Sequence, residues 1–237
     1  MPRIGLIFSA LLIQQLAASN SHSTATDDQP ISSANIWQQL DWTNRADLPQ
    51  AHQDQLPSFC SGDYLPAAYT ISNGEALSVE SDNVEYKEAD GALFSGNVKV
   101  EQLGRLISAD KMIYDEASGD ASFIGGIVFR DNEISMSAQQ LKYQSKEQFS
   151  LLTDAHYVIA PNHMRGDAKE ISLSTGNSAF LKDASYTFCE PGQNDWDIKA
   201  SEINLYQDKG YGEAYHGRLR IKEIPILYMP YYRFPIG

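Results

Sequence analysis

Cysteine is almost absent: Cys60 and Cys189 are the two in 237 residues. They form no Cys-x-x-Cys pair and stand in no Cys/His spacing that a zinc site uses. Positive charge is scarce as well, with 18 Lys and Arg against 31 Asp and Glu, a net charge of −13. Nucleic acid needs a basic face, so that partner is excluded. The same balance argues against electrostatic capture of an anionic membrane surface. An anionic lipid would have to be held through burial of its chains. There is no Gly-x-Ser-x-Gly elbow and no Gly-rich phosphate loop. His156 and His163 flank Pro161 in a loop-like setting. Glu190, Asp195 and Asp197 crowd together in "EPGQNDWD", but their spacing is not that of an EF-hand. Pro-Gly and Asn-Asp there mark a solvated turn. No residue set for catalysis emerges, and the chain is read as a non-enzyme with no cofactor and no metal.

What the chain has is repetition. "SDNVEY" (81–86), "ADKMIY" (109–114), "AQQLKY" (138–143), "AKEISL" (168–173) and "ASEINL" (200–205) share a small–polar–polar–apolar–any–Tyr/Leu pattern, with starts 28, 29, 30 and 32 residues apart. Fixed periods of this size signal a stacked array. The apolar pairs are Val84/Tyr86, Met112/Tyr114, Leu141/Tyr143, Ile171/Leu173 and Ile203/Leu205. A gap of two puts both side chains on one face of a strand. Turn clusters follow: "KEADG" (87–91), "DEASG" (115–119), "STGN" (174–177) and "QDKG" (207–210); the third copy has "QSKEQ" (144–148), without Gly. Gly, Asn and Asp supply the positive φ that tight hairpins need. A second apolar strand comes after each turn, at 92–100, 121–129, 149–159, 180–188 and 213–221. Gly96, Gly125, Gly126 and Gly217 lie inside these strands, which predicts bulges or bends. The expectation is about five stacked hairpins and on the order of ten strands. The apolar stripe would either pack as an ordinary sandwich core or line an open groove.

The ends differ from this pattern. Residues 1–19 have a basic start at Arg3, an apolar run from Ile4 to Ile13 and small residues at Ala17, Ala18 and Ser19. That is a secretory signal, and the run is too short to span a bilayer. Residues 20–59 are polar and without clear period, and read as a disordered linker. The all-β domain is placed at 60–228.

The C-terminal third carries the most specific signal. It includes the Cys-x-Pro-Gly turn (Cys189, Pro191, Gly192), Trp196 opening a strand, "ASEINL", the Gly-Tyr-Gly-x-Ala run at 210–214, and "IPILYMPYYRFPIG" at 224–237. Over roughly 60–237 the chain resembles the OstA-type periplasmic domain of the lipopolysaccharide-assembly family LptD, also called the organic solvent tolerance family. "ADKMIYDEASG" is similar to its repeat, which a soluble periplasmic bridge protein of the same pathway shares.

The resemblance implies a slotted β-jelly roll in the periplasm or at the cell outer membrane. It would sheathe the acyl chains of lipopolysaccharide and hand the lipid to an outer-membrane barrel plugged by a lipoprotein. Residues 229–237 would be a stub leading toward that barrel, which is absent here. Val84, Tyr86, Met112, Tyr114, Leu141, Tyr143, Ile171, Leu173, Ile203 and Leu205 would line the lumen. Ten buried methylenes supply roughly 8 kcal/mol at about 0.8 kcal/mol each. The first rung, with Leu77 and Val79, is an unblunted edge onto which the bridge protein would dock. The alternative is a structural or surface-display β-solenoid with a packed core and no lipid.

The resemblance also implies that Cys60 and Cys189 each bond a cysteine of the barrel. In the isolated chain they have only each other, other chains or small thiols. In a stack they stand several rungs apart, so two available thiols are expected unless the preceding segment reaches back along the stack.

Overall fold

The computed structural model describes residues 33–56, 58, 60–65, 76–87, 91–174 and 178–235. The signal segment 1–19 lies outside the described residues, as do turn positions 88–90 and 175–177. Strands β3 (Ser78–Glu80), β4 (Asn83–Lys87), β5 (Gly91–Gln102), β6 (Arg105–Tyr114) and β7 (Ala121–Arg130) open the repeating part. They are followed by β8 (Ile134–Gln144), β9 (Phe149–Ile159), β10 (Met164–Ser174), β11 (Ser178–Thr187), β12 (Trp196–Tyr206), β13 (Tyr211–Ile221) and β14 (Ile224–Pro235). Among the described residues these twelve strands form one sheet. Its strands run in chain order from β14 back to β5, with β3 and β4 both paired to β5. Every ladder is antiparallel, as short connections demand. The motif copies fall in β4, β6, β8, β10 and β12, and the apolar segments after the turns are β5, β7, β9, β11 and β13.

The motif's spacing has a structural cause. In a straight strand, residues three apart point to opposite faces. Here Ala109 and Met112 are both buried, as are Ala138 and Leu141, Ala168 and Ile171, and Ala200 and Ile203. Each strand therefore turns between the small residue and the apolar one, which restores both to one face. The partner strands show the same device. Ala155 and Leu152 on β9, and Ala184 and Leu181 on β11, are buried pairs flanking Asp154 (φ 48°) and Asp183 (φ 47°).

In β5 and β7 the turn is made by Gly96–Asn97 and Gly125–Gly126, all at positive φ. The β5–β6 and β7–β8 registers shift there, the bulges that the glycines predict. In β13 the positive φ belongs to His216 rather than Gly217. The bend line folds the sheet into two facing walls. Wall one carries Met112, Leu141, Ile171 and Ile203; wall two carries Val100, Ile107, Met136 and Tyr157. All belong to or pack on a single core.

Two expectations need correction. First, the segment 20–59 is not a disordered linker where it is described. Helix α1 (Ser33–Gln39), β1 (Trp42–Asn44), α2 (Gln50–Gln53) and β2 (Gly62–Tyr64) form a strap. Leu40 and Tyr64 of the strap bury against Val128 and Val158, on the outer face of wall two. Arg130 reaches Asp41 at 3.2 Å, and Ser135 donates to the same carboxylate at 2.8 Å. Arg130 also donates to the carbonyl of Gln39. The Arg165 guanidinium stacks 4.7 Å over the Trp37 ring. Second, 229–235 is no stub but the second half of β14, laddered to β13 from Tyr211↔Pro235 to Ile221↔Ile224. The Gly-free "QSKEQ" stretch turns tightly, with Gln148 taking φ 47°.

Candidate functional site: the apolar seam

The space between the walls is filled by side chains from every long strand, β5 to β14. Met112, Leu141, Tyr143, Ile171 and Ile203 are buried there, and Tyr114, Leu173 and Leu205 pack against them. Val84 and Tyr86 do not join them. They are 45% and 65% exposed, because β4 is the outermost strand and has no neighbour beyond it to cover them. The Tyr86 hydroxyl instead donates to Glu116 on the β6–β7 turn. Sequence reading missed the partners of the motif residues: Phe94, Phe123, Leu152 and the line of small residues at the bend. Their signal was present in the alternation of "ALFSGNVKV" and "ASFIGGIVF", but nothing in it says that two halves of one strand face each other.

The seam is closed along its length, from Val98 (0% exposed) on β5 to Leu152 (1%) on β9 and Ala184 (0%) on β11. Among the described residues it is uncovered at both ends. Leu77 is exposed beside β3, and Val79 pairs with Val100 along an otherwise unpaired edge. At the other end Leu227 and Tyr232 on β14 are about half exposed, with Tyr232 stacked on Phe234. Buried Arg130 and Arg165 turn toward the strap, to Asp41 and the Trp37 ring. The outer faces carry the ion pairs, such as Arg220 with Asp197 and Arg233 with Glu213.

The cysteines are not separated as a simple stack would have them. Both are free and part-buried. The strap runs back along wall two until the Ser61 amide donates to Glu190 at 2.8 Å, with the Ser61 hydroxyl on the other carboxylate oxygen. Ser61 and Glu190 directly follow Cys60 and Cys189, so the two thiol segments are neighbours. Arg165 completes the junction by donating to the carbonyls of Cys189 (2.8 Å) and Glu190 (2.9 Å). Burial, and then the Glu190 charge, push the Cys60 thiol above its ordinary pKa.

A single antiparallel sheet folded about an apolar seam makes this an all-β protein of slotted jelly-roll type. Residues 78–211 match the model of the LptA/(LptD N-terminal domain) LPS transport protein family, and the chain belongs to that family. It is 32% identical to the LPS-assembly protein LptD of Hahella chejuensis over 95% of this chain and 29% of that protein. It is 30% identical to LptD of Saccharophagus degradans over 83% of this chain and 24% of that protein. The chain thus spans less than a third of the length of these relatives. Among solved structures it is similar to LptH, described as the LptA-homologous periplasmic component of the lipopolysaccharide transport device of Pseudomonas aeruginosa. That match has 15% identity and a TM-score of 0.36, over 43% of this chain and 77% of LptH.

Proposed function

We propose that the chain is a lipopolysaccharide-carrying domain of the periplasm. Acyl chains lie in the seam between the two walls and the sugar headgroup stays outside. The lipid enters at the β3/β4 end, where the bridge protein docks, and leaves at the β14 end toward an outer-membrane barrel and its plug lipoprotein. The observation that carries this reading is the continuity of the seam. One apolar core runs through all the long strands and, among the described residues, is uncovered at the two ends of the sheet. Apolar burial needs no positive charge, which suits a ligand with anionic sugars and a carrier of net charge −13.

A second reading, a packed β-scaffold with no lipid, is favoured by the tightness of the core, where Val98, Leu152 and Ala184 are almost wholly buried. A competition assay separates the two. Fluorescent lipopolysaccharide is expected to bind the purified protein and to be displaced by unlabelled lipopolysaccharide but not by its deacylated form. Leu141→Asp is expected to lower affinity at least tenfold. Equal displacement by the deacylated sugar, or unchanged affinity in a folded Leu141→Asp protein, would overturn the proposal.

A further inference from the structure

One part of the seam is built unlike the rest. Tyr157 on β9 is paired in register with Gly166 on β10. Gly166 has no space for a side chain: a Cβ there would lie 2.0 Å from the Ser185 carbonyl oxygen and 2.6 Å from both Cζ and the hydroxyl of Tyr157. The Tyr157 ring therefore lies flat across Gly166. Its hydroxyl donates to the Ser185 carbonyl at 2.8 Å, on β11. One side chain thus reaches from β9 over β10 to β11, about 10 Å at the ~4.8 Å spacing of strands. It is buried in the core, and burial keeps its hydroxyl protonated well above the ordinary range. Beside it the bend is floored only by Ala155, Ala168 and Ala184. Tyr143 on β8, the other buried tyrosine of the core, bonds Ser145 on its own hairpin turn, and Phe94, Phe123 and Leu152 have no polar atom; the Tyr157 bond instead crosses a neighbouring strand.

A tether of this kind has a mechanical consequence. A ring held at its far end by a hydrogen bond cannot rotate about χ1 without giving up that bond inside an apolar space, which is costly. A phenylalanine in the same place would be free to turn. We infer that Tyr157 is a positioning residue of the seam, held against wall two by its bond to Ser185, with Gly166 as its recess, so that its ring does not swing into the path of an acyl chain that displaces the packed side chains of the opposite wall. The inference rests on the lipid-carrying reading. It adds that passage from β6 to β12 depends on the Tyr157–Ser185 bond.

The test uses the full-length protein in cells, with a photocrosslinking amino acid at Met112 (β6) or Ile203 (β12), in the wild-type, Tyr157→Phe and Gly166→Ala backgrounds. The wild-type protein is expected to capture lipopolysaccharide at both sites. Tyr157→Phe should keep capture at position 112 and lower it at position 203 at least threefold, and Gly166→Ala, whose Cβ meets the Ser185 carbonyl as well as the ring, should lower position 203 at least as far. A merely structural role would lower both sites together, so the ratio between them is the readout. An unchanged 112-to-203 ratio in folded Tyr157→Phe would overturn the inference while leaving the lipid-carrying reading standing. No capture at either site in the wild-type protein would overturn the lipid-carrying reading, and the inference with it.

Discussion

At the scale of single residues, the strap depends on one buried charge pair. Asp41 and Arg130 have side chains 6% and 10% exposed and lie 89 positions apart in the chain. Removing one member of such a pair strands the other in a poorly solvated place, at a cost of about 3–5 kcal/mol. Asp41→Ala leaves the Arg130 guanidinium with the Gln39 carbonyl but without its counter-charge, and Ser135 without its acceptor. The expected result is release of the strap rather than collapse of the sheet. Limited proteolysis should cut within 33–65 at least tenfold faster in Asp41→Ala, while the sheet's circular dichroism stays unchanged. Equal cleavage rates would show that Leu40 and Trp37 hold the strap without the ion pair. None of this was legible in the sequence. Asp41 and Arg130 are ordinary surface residue types, and only the fold brings them together. Cys60 and Cys189 illustrate the same limit: counting strands kept them apart, and the path of a segment without periodicity brought them together.

At the scale of elements, the hairpins were legible and the bends only half so. Period-two pairs such as Leu141/Tyr143 and the Gly-containing turns identified strands whose limits the structure reproduces closely, as at 149–159. Glycine announced the bends of β5 and β7. Asp154, Asp183 and His216 make the bends of β9, β11 and β13; Asp and His tolerate a left-handed backbone better than most residues, but both are too common in ordinary strands and turns to mark a bend alone. The small residue at the head of each motif copy was visible but unexplained until its role at the fold line emerged.

The outermost rung carries a prediction of the same scale. β3 is a three-residue edge strand paired only to β5, so its far side is open to strand addition. Leu77→Pro or Val79→Pro removes a donor from that edge and fixes φ. Binding of the periplasmic bridge protein should then fall below detection by co-purification, with unchanged circular dichroism. Retained binding in a folded variant would argue that docking uses another surface.

At the scale of the whole molecule, a sheet folded on itself differs from two sheets packed together. Its walls share every strand, so they can separate only by opening along the bend line or at the uncovered ends. A lipid that slides along the seam replaces one wall's side chains with its own methylenes, nearly equal in energy from rung to rung. Whether the apolar stripe faced a second sheet or an opposing wall could not be read from periodicity, because both place the same residues inside. The stripe's inward direction can be tested directly. Photocrosslinking probes at Met112, Leu141 and Ile171, all buried between the walls, are compared in cells with probes at Lys111 and Lys142, both exposed on the outside. The account predicts lipopolysaccharide adducts at the three inward positions and none at the two lysines; adducts confined to Lys111 and Lys142 would contradict it.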